Sequence, residues 1–259
     1  MICAVKGPGA ARRYRAALAG GPTACSLGAR CAAFAGLPAS GWSFFTGGEG
    51  AEPFALAVRG SAAQLAGRAD PEELALLLGM LKVRELRTEQ GAAPRGWQPA
   101  RELAVFGLAP GGRLPQPPAP AGFCLETEPS LWEVADLLAR GRELGQAGAQ
   151  ARDNFYADAC AMKNRGLACI WAARFEGCLA ATAGAYAIWG GQACLAAVET
   201  EEKLRHKGAG RWLVAGLANY LAQQGLGVSL LCAPGRKRFY QALGLEKRGS
   251  AVCWRPKAP

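Results

Sequence analysis

Hydrophobic and polar positions divide the chain into two stretches, each mixing helical and strand periods. In the first, Ala11 to Ala19 places Arg12, Arg13 and Arg15 on what would be the wet face of a helix, and Thr23 to Ala35 predicts a second. From Gly41 the period shortens. Trp42–Phe45, Phe54–Val58 and Ala62–Ala66 predict short strands, the last two joined near Arg59-Gly60-Ser61. Asp70-Pro71-Glu72-Glu73 marks a helix start: the Asp70 carboxylate can accept first-turn N–H groups, and Pro71 has no N–H to leave unpaired. Leu74, Leu77, Leu78 and Leu81 then keep helical spacing, and Val83–Arg87 and Glu102–Leu108 predict strands.

Residues 109–121, APGGRLPQPPAPA, hold five prolines and two glycines. Such a segment forms neither a helix nor a central strand and favours an extended, stiff connector. It divides the chain into residues 1–108, a linker 109–121 and residues 122–259.

Beyond the linker, Phe123–Leu125 predicts a strand. Ser130-x-x-Glu133 is a capping-box pattern, followed by an apolar stripe of Leu131, Val134, Ala135 and Leu138. A second helix is predicted from about Arg152 to Lys163. Three strands follow, Leu167–Phe175, Cys178–Trp189 and Gln192–Val198, linked by Glu176-Gly177 and Gly190-Gly191, both tight-turn dipeptides. A helix is expected from Gly208 to about Gln224, then a strand Val228–Cys232, a short helix Arg236–Leu243 and a last strand Ala251–Arg255. The pattern as a whole predicts a mixed α+β fold.

The chemistry concentrates where the Gln192–Val198 strand gives way to a charged loop and then to Arg205-His206-Lys207-Gly208-Ala209-Gly210-Arg211. A strand feeding a glycine-bearing turn and a helix start can hold a diphosphate. First-turn N–H groups point at the anion, and the helix dipole adds partial positive charge. Gly208 and Gly210 let backbone approach phosphate oxygens closely, and Arg205, Lys207 and Arg211 add full charges. The spacing is neither G-x-G-x-x-G nor a G-K-[S/T] loop.

This R-x-x-G-x-G sequence resembles the acyl-coenzyme A pyrophosphate loop of the GNAT N-acetyltransferase family. Phe239-Tyr240-x-x-Leu243-Gly244-Leu245 is similar to the family's F-Y-x-x-L-G-F ending, and the order of elements over residues 122–259 is the family's own. The resemblance implies the GNAT acyl-CoA N-acyltransferase fold, with acetyl-CoA as cosubstrate and an amine acceptor attacking the thioester directly. It implies coenzyme contacts from Ala197, Val198, Thr200, Arg205, His206, Lys207, Gly208, Ala209, Gly210 and Arg211. It also implies a general-acid role for Tyr240 toward the leaving thiolate. Many members carry an asparagine seven residues before this tyrosine; here Ala233 stands there. The general base stays unassigned. Glu199 is the acidic residue nearest the strand end but reads equally as a solvated loop residue, and His206 lies between two cations. Asp153, Asn154, Tyr156, Tyr186 and Trp189 are candidates for lining the acceptor site.

The first half lacks the R-x-x-G-x-G loop. It reads either as a degenerate GNAT-like copy or as an unrelated domain that shapes the substrate site. The alternative for the whole chain is a catalytically silent acyl-CoA-binding or partner-binding module.

Composition narrows the partners. The formal charge of +10 favours anionic ligands such as coenzyme A. There is no run of five basic residues and no aromatic-basic platform, which argues against nucleic acid. Ten cysteines form no C-x-x-C pair and His206 is the only histidine, so no metal site is expected and reduced thiols are. Two long uncharged stretches, Gly177–Val198 and Trp212–Gly235, are interrupted by glycines and amides and do not read as membrane spans. With no apolar leader at the start, a cytoplasmic protein is expected. A homodimer would suit the resemblance, but nothing in the residues requires one.

Overall fold

The computed structural model describes residues 1–89, 93–141 and 148–257. In chain order the first half forms β1 (Ile2–Ala4), α1 (Gly7–Ala16), α2 (Gly21–Phe34), β2 (Trp42–Gly47), β3 (Phe54–Arg59), β4 (Ala62–Gly67), α3 (Pro71–Met80), β5 (Glu85–Thr88) and β6 (Trp97–Leu108). The second forms β7 (Phe123–Glu126), α4 (Leu131–Arg140), α5 (Gly148–Asn164), β8 (Cys169–Phe175), β9 (Cys178–Trp189), β10 (Gln192–Thr200), α6 (Ala209–Gln223), β11 (Gly227–Cys232), α7 (Lys237–Ala242) and β12 (Glu246–Pro256).

Two compact units result. One comprises Met1–Val105 with Leu231–Gly235 and Arg248–Pro259; the other comprises Phe106–Leu230 with Arg236–Lys247. The units therefore do not follow chain order, whereas a division at residues 108 and 122 does. Most of β12 belongs with the first unit because it pairs antiparallel with β5, Val252 opposite Thr88 and Trp254 opposite Leu86.

Within the first unit the strands run β1-β2-β3-β4-β5-β12-β6. β2, β3 and β4 form an antiparallel meander, and β4 pairs parallel with β5 from Ala62↔Glu85 to Leu65↔Thr88. Alternation sends Phe44 toward α1, where it meets the fully buried Tyr14 ring edge-on at 5.9 Å. Phe45 packs on the other face, in the cluster of Leu56, Leu65, Leu74 and Leu78 beneath α3. α3 begins as the residues demand: Asp70 accepts from the backbone N–H of Glu72 and Glu73 at 3.0 and 2.9 Å.

Within the second unit the order is β11-β10-β9-β8-β7. Both hairpin turns have positive φ at each central residue, Glu176-Gly177 and Gly190-Gly191, as two-residue turns between twisted strands require. α4 and α5 cover one face, with Val134, Leu137, Leu138 and Ala159 on Ile170 and Ala172. α6 lies on the other face, where Trp171 meets Tyr220 at 5.4 Å. Only half of the capping box forms: Ser130 accepts from Glu133 N–H, while the Glu133 carboxylate turns instead to Arg174. The proline-rich segment is extended but stitched to α6, with Leu114 N–H and C=O both bonded to the Asn219 side chain at 2.7 and 3.0 Å. It belongs to the second unit.

The two units repeat one plan. Each runs strand, two helices, an antiparallel three-strand meander, a helix and a strand parallel to the meander's last, joined over four residue pairs. Among the described residues no helix is long and apolar enough to cross a membrane, and no group of three His, Cys, Asp or Glu side chains could hold a metal ion.

Candidate active site

The site is built where β10 outruns its neighbour. β10 pairs parallel with β11 only from Gln192↔Gly227 to Leu195↔Leu230, then continues to Thr200 with no further β11 partner in the ladder. Its antiparallel pairing with β9 is interrupted between Ala196 and Glu199. Ala197 sits in that bulge at φ 51°, a left-handed conformation uncommon for a residue with a Cβ. Strain of this kind re-aims backbone groups, here at Ala197 and Val198.

After Thr200 a single turn of 3-10 helix, Glu202–Leu204, leads to His206 at φ 67° and Gly208 at φ 92°. Gly208 is the N-cap of α6, and among the described residues no side chain caps that end. An α-helix leaves its first N–H groups without intrahelical acceptors, so the exposed Gly208 end offers donors and the positive pole of the dipole. A Cβ on Gly210 would stand 3.5 Å from Thr200 Oγ1 and 3.9 Å from the Phe239 ring. The end of β10, the start of α6 and the Phe239-Tyr240 pair are thus neighbours. The two sequence motifs, almost thirty residues apart in the chain, meet in space.

The charged residues of the loop take different positions. Arg205 is largely buried: Nε donates to Thr200 C=O at 3.2 Å, Nη2 lies 3.2 Å from Glu199, and Nη1 lies 3.5 Å from Glu202. The Lys207 ammonium stands 5.1 Å over the Phe175 ring. Arg211 is exposed and donates to Ala242 C=O at 3.2 Å, which ties α6 to α7. His206 is exposed.

Glu199, open to reading as a base candidate or as a solvated loop residue, is not solvated. It is 5% exposed and accepts from its neighbour Thr200 N–H as well as from Arg205. Nothing in the local sequence signals this burial, because residues from elsewhere in the chain close over it, among them Gly141 at the end of α4, where a Cβ would fall 2.7 Å from the Glu199 carboxyl carbon.

Tyr240 is buried, its ring 5.0 Å from Phe239 and 6.2 Å from Phe106. Of the acceptor-site candidates, Asp153 and Asn154 are exposed on α5, and Tyr156 stacks edge-on with Trp132 at 5.3 Å. Tyr186 lies in the core against Phe155, and burial pushes its phenol well above the usual tyrosine range.

A mixed sheet with a bulged strand, an open parallel ladder and an uncapped helix start defines the acyl-CoA N-acyltransferase class of fold. Residues 132–245 match the model of the Acetyltransferase (GNAT) family, and this segment is a GNAT-family domain. No curated protein matches the chain by sequence. Among solved structures it is similar to a GCN5-related N-acetyltransferase from Kribbella flavida, at 19% identity and TM-score 0.59, covering 80% of this chain and 88% of that one. It is similar to a tandem GNAT protein from the clavulanic acid biosynthesis pathway at 16% identity and TM-score 0.57, covering 84% of each chain. The likeness to a GCN5-related N-acetyltransferase from Sphaerobacter thermophilus covers 99% of this chain and 97% of that one, at 14% identity and TM-score 0.55. At these identities the likenesses concern the fold. They extend across the first half as well, which is GNAT-like in architecture.

Proposed function

We propose that the protein transfers an acetyl group from acetyl-CoA to a primary amine of a small molecule or peptide, by direct attack in a ternary complex. The observation that carries this reading is the uncapped α6 terminus at left-handed Gly208, placed beside a β10 edge that has left β11. Coenzyme A has two parts that match: a diphosphate for the helix terminus and an extended pantetheine for a strand edge.

In this reading the backbone N–H groups of Gly208, Ala209, Gly210 and Arg211 bind the diphosphate, with His206 and Lys207 flanking it. Ala197, Val198 and Thr200 border the pantetheine, and a backbone N–H in the bulge polarises the thioester carbonyl as charge builds on its oxygen. Tyr240 gives its proton to the departing thiolate. Alignment of amine and thioester supplies much of the rate, so no enzyme nucleophile is required. Glu199 is engaged with Arg205 and is not assigned the role of base.

The alternative, a module that binds acyl-CoA without turnover, is favoured by that engagement of Glu199. Calorimetric titration with coenzyme A, followed by free-thiol release from acetyl-CoA across an amine panel, separates the two. Binding with release supports the transferase, and binding without release on any amine supports the silent module. No binding removes both.

A further inference from the structure

We infer that Arg205 is a positioning residue: it shapes the diphosphate loop through Glu199 and does not itself hold a phosphate. The inference rests on the coenzyme assignment proposed above and departs from the direct contact that the loop sequence implies.

Three nitrogens of the guanidinium already face three acceptors. Nε closes the loop onto Thr200 C=O, Nη2 faces Glu199 and Nη1 faces Glu202. The Glu199 carboxylate has little freedom. Its residue is fixed opposite Thr182 in the β9 ladder, one carboxylate oxygen receives Thr200 N–H, and the Gly141 backbone lies against the rest of the side chain. Swinging Arg205 out to a phosphate would break its bond to Thr200 C=O and its pairing with a buried carboxylate, and taking a cation from a buried carboxylate is costly. The pair therefore acts as a brace. It holds the end of β10 to residue 205, three positions before Gly208, so the loop reaches the α6 terminus at a fixed angle. A second tie, Arg140 to Glu201 at 3.0 Å, fastens the same loop to the end of α4.

The test is a double-mutant cycle of Glu199→Gln and Arg205→Gln, read as the dissociation constant for coenzyme A at low and moderate salt, with thermal unfolding recorded on each protein. If Arg205 positions the loop, each single substitution weakens binding by about tenfold, and the pair together costs no more than the worse single, because the coupled partners share one effect. The salt dependence of binding then stays that of the parent, since no charge contact to the phosphates is lost. The inference is overturned if Arg205→Gln alone weakens binding, with a flatter salt response, while Glu199→Gln binds as tightly as the parent or more tightly.

Should either single variant fail to fold, Gly141→Ala provides a second route. Gly141 has φ −86°, ordinary for alanine, but its new Cβ would fall 2.7 Å from the Glu199 carboxyl carbon. Displacing that carboxylate without changing any charge should also weaken coenzyme binding, and parent-like affinity would count against the brace. A folded parent that does not bind coenzyme A is a different result: it removes the coenzyme assignment, and the inference falls with it.

Discussion

Asp70 and Gly208 stand at the same place in the two repeats, and they are chemically opposite. Each precedes the helix that follows the parallel-paired strand of its unit, α3 after β4 and α6 after β10. Asp70 fills the α3 terminus with its own carboxylate, and Glu72 and Glu73 add negative charge in the first turn. Gly208 fills nothing, and the first turn of α6 carries no acid. A diphosphate would be repelled at the first terminus and attracted at the second. Calorimetry should therefore give one coenzyme A per chain. Asp70→Ala should cost about 1 kcal/mol of stability through the lost cap and leave coenzyme affinity unchanged. A second coenzyme bound per chain would contradict this account of the first unit.

Gly208 contributes by conformation as well as by lacking a side chain. At φ 92° an L-residue is strained whatever space surrounds it, although among the described residues a Cβ there would meet only Pro120, at 3.7 Å. Gly208→Ala should therefore weaken coenzyme binding through the strain alone, on the order of 1–2 kcal/mol or roughly tenfold. Gly208→Glu adds bulk and a negative charge beside the diphosphate and should abolish binding. Unchanged affinity in the glutamate variant would take this loop out of the site.

Much of this plan is legible in the residues, for identifiable reasons. Turn dipeptides such as Glu176-Gly177 and Gly190-Gly191 have a local cause, the positive φ they must adopt, so the two hairpins of β8, β9 and β10 follow from sequence alone. Asp70-Pro71 fixes the start of α3 for a similar reason. What escapes is decided at a distance. β1 is three residues long and has no period to read. β12 begins five residues earlier than its apolar run, and its pairing with β5 rests on partners far away in the chain. The Ala197 bulge has no glycine to announce it. Glu199 is buried beside Gly141, a residue with no functional signature. The R-x-x-G-x-G loop is readable because its motif is local; the Glu199–Arg205 pair beside it is not.

Tyr240 tests the chemical step separately from binding. Its ring is buried against Phe106 and Phe239, so Tyr240→Phe keeps the packing and removes only the hydroxyl. A general acid typically contributes about a hundredfold or more to rate, so turnover should fall by at least tenfold while affinity for coenzyme A holds. Steady-state thiol release together with calorimetry checks both halves of the expectation. Turnover equal to the parent's would restrict Tyr240 to packing.

Tyr186 carries a stability prediction with a defined pH sign. Its ring folds back over Gly184, where any Cβ would touch it, and its hydroxyl is buried with no well-formed hydrogen bond among the described residues; the Thr182 hydroxyl lies near it and donates to Trp171 C=O. Burial raises the phenol above its ordinary value. The folded state therefore keeps this proton at pH values where the unfolded chain gives it up. The resulting stability is fully present below about pH 10 and is lost as pH rises beyond it. Tyr186→Phe removes both the unpaired hydroxyl and the titration. Near neutral pH it should be neutral or stabilising by about 1 kcal/mol, since an unsatisfied buried group is relieved and no bond is broken. Above pH 10 its stability should fall less steeply than the parent's. Urea unfolding at pH 7 and pH 10.5 measures both. A clear loss of stability at pH 7 would mean that the hydroxyl is satisfied in the folded protein.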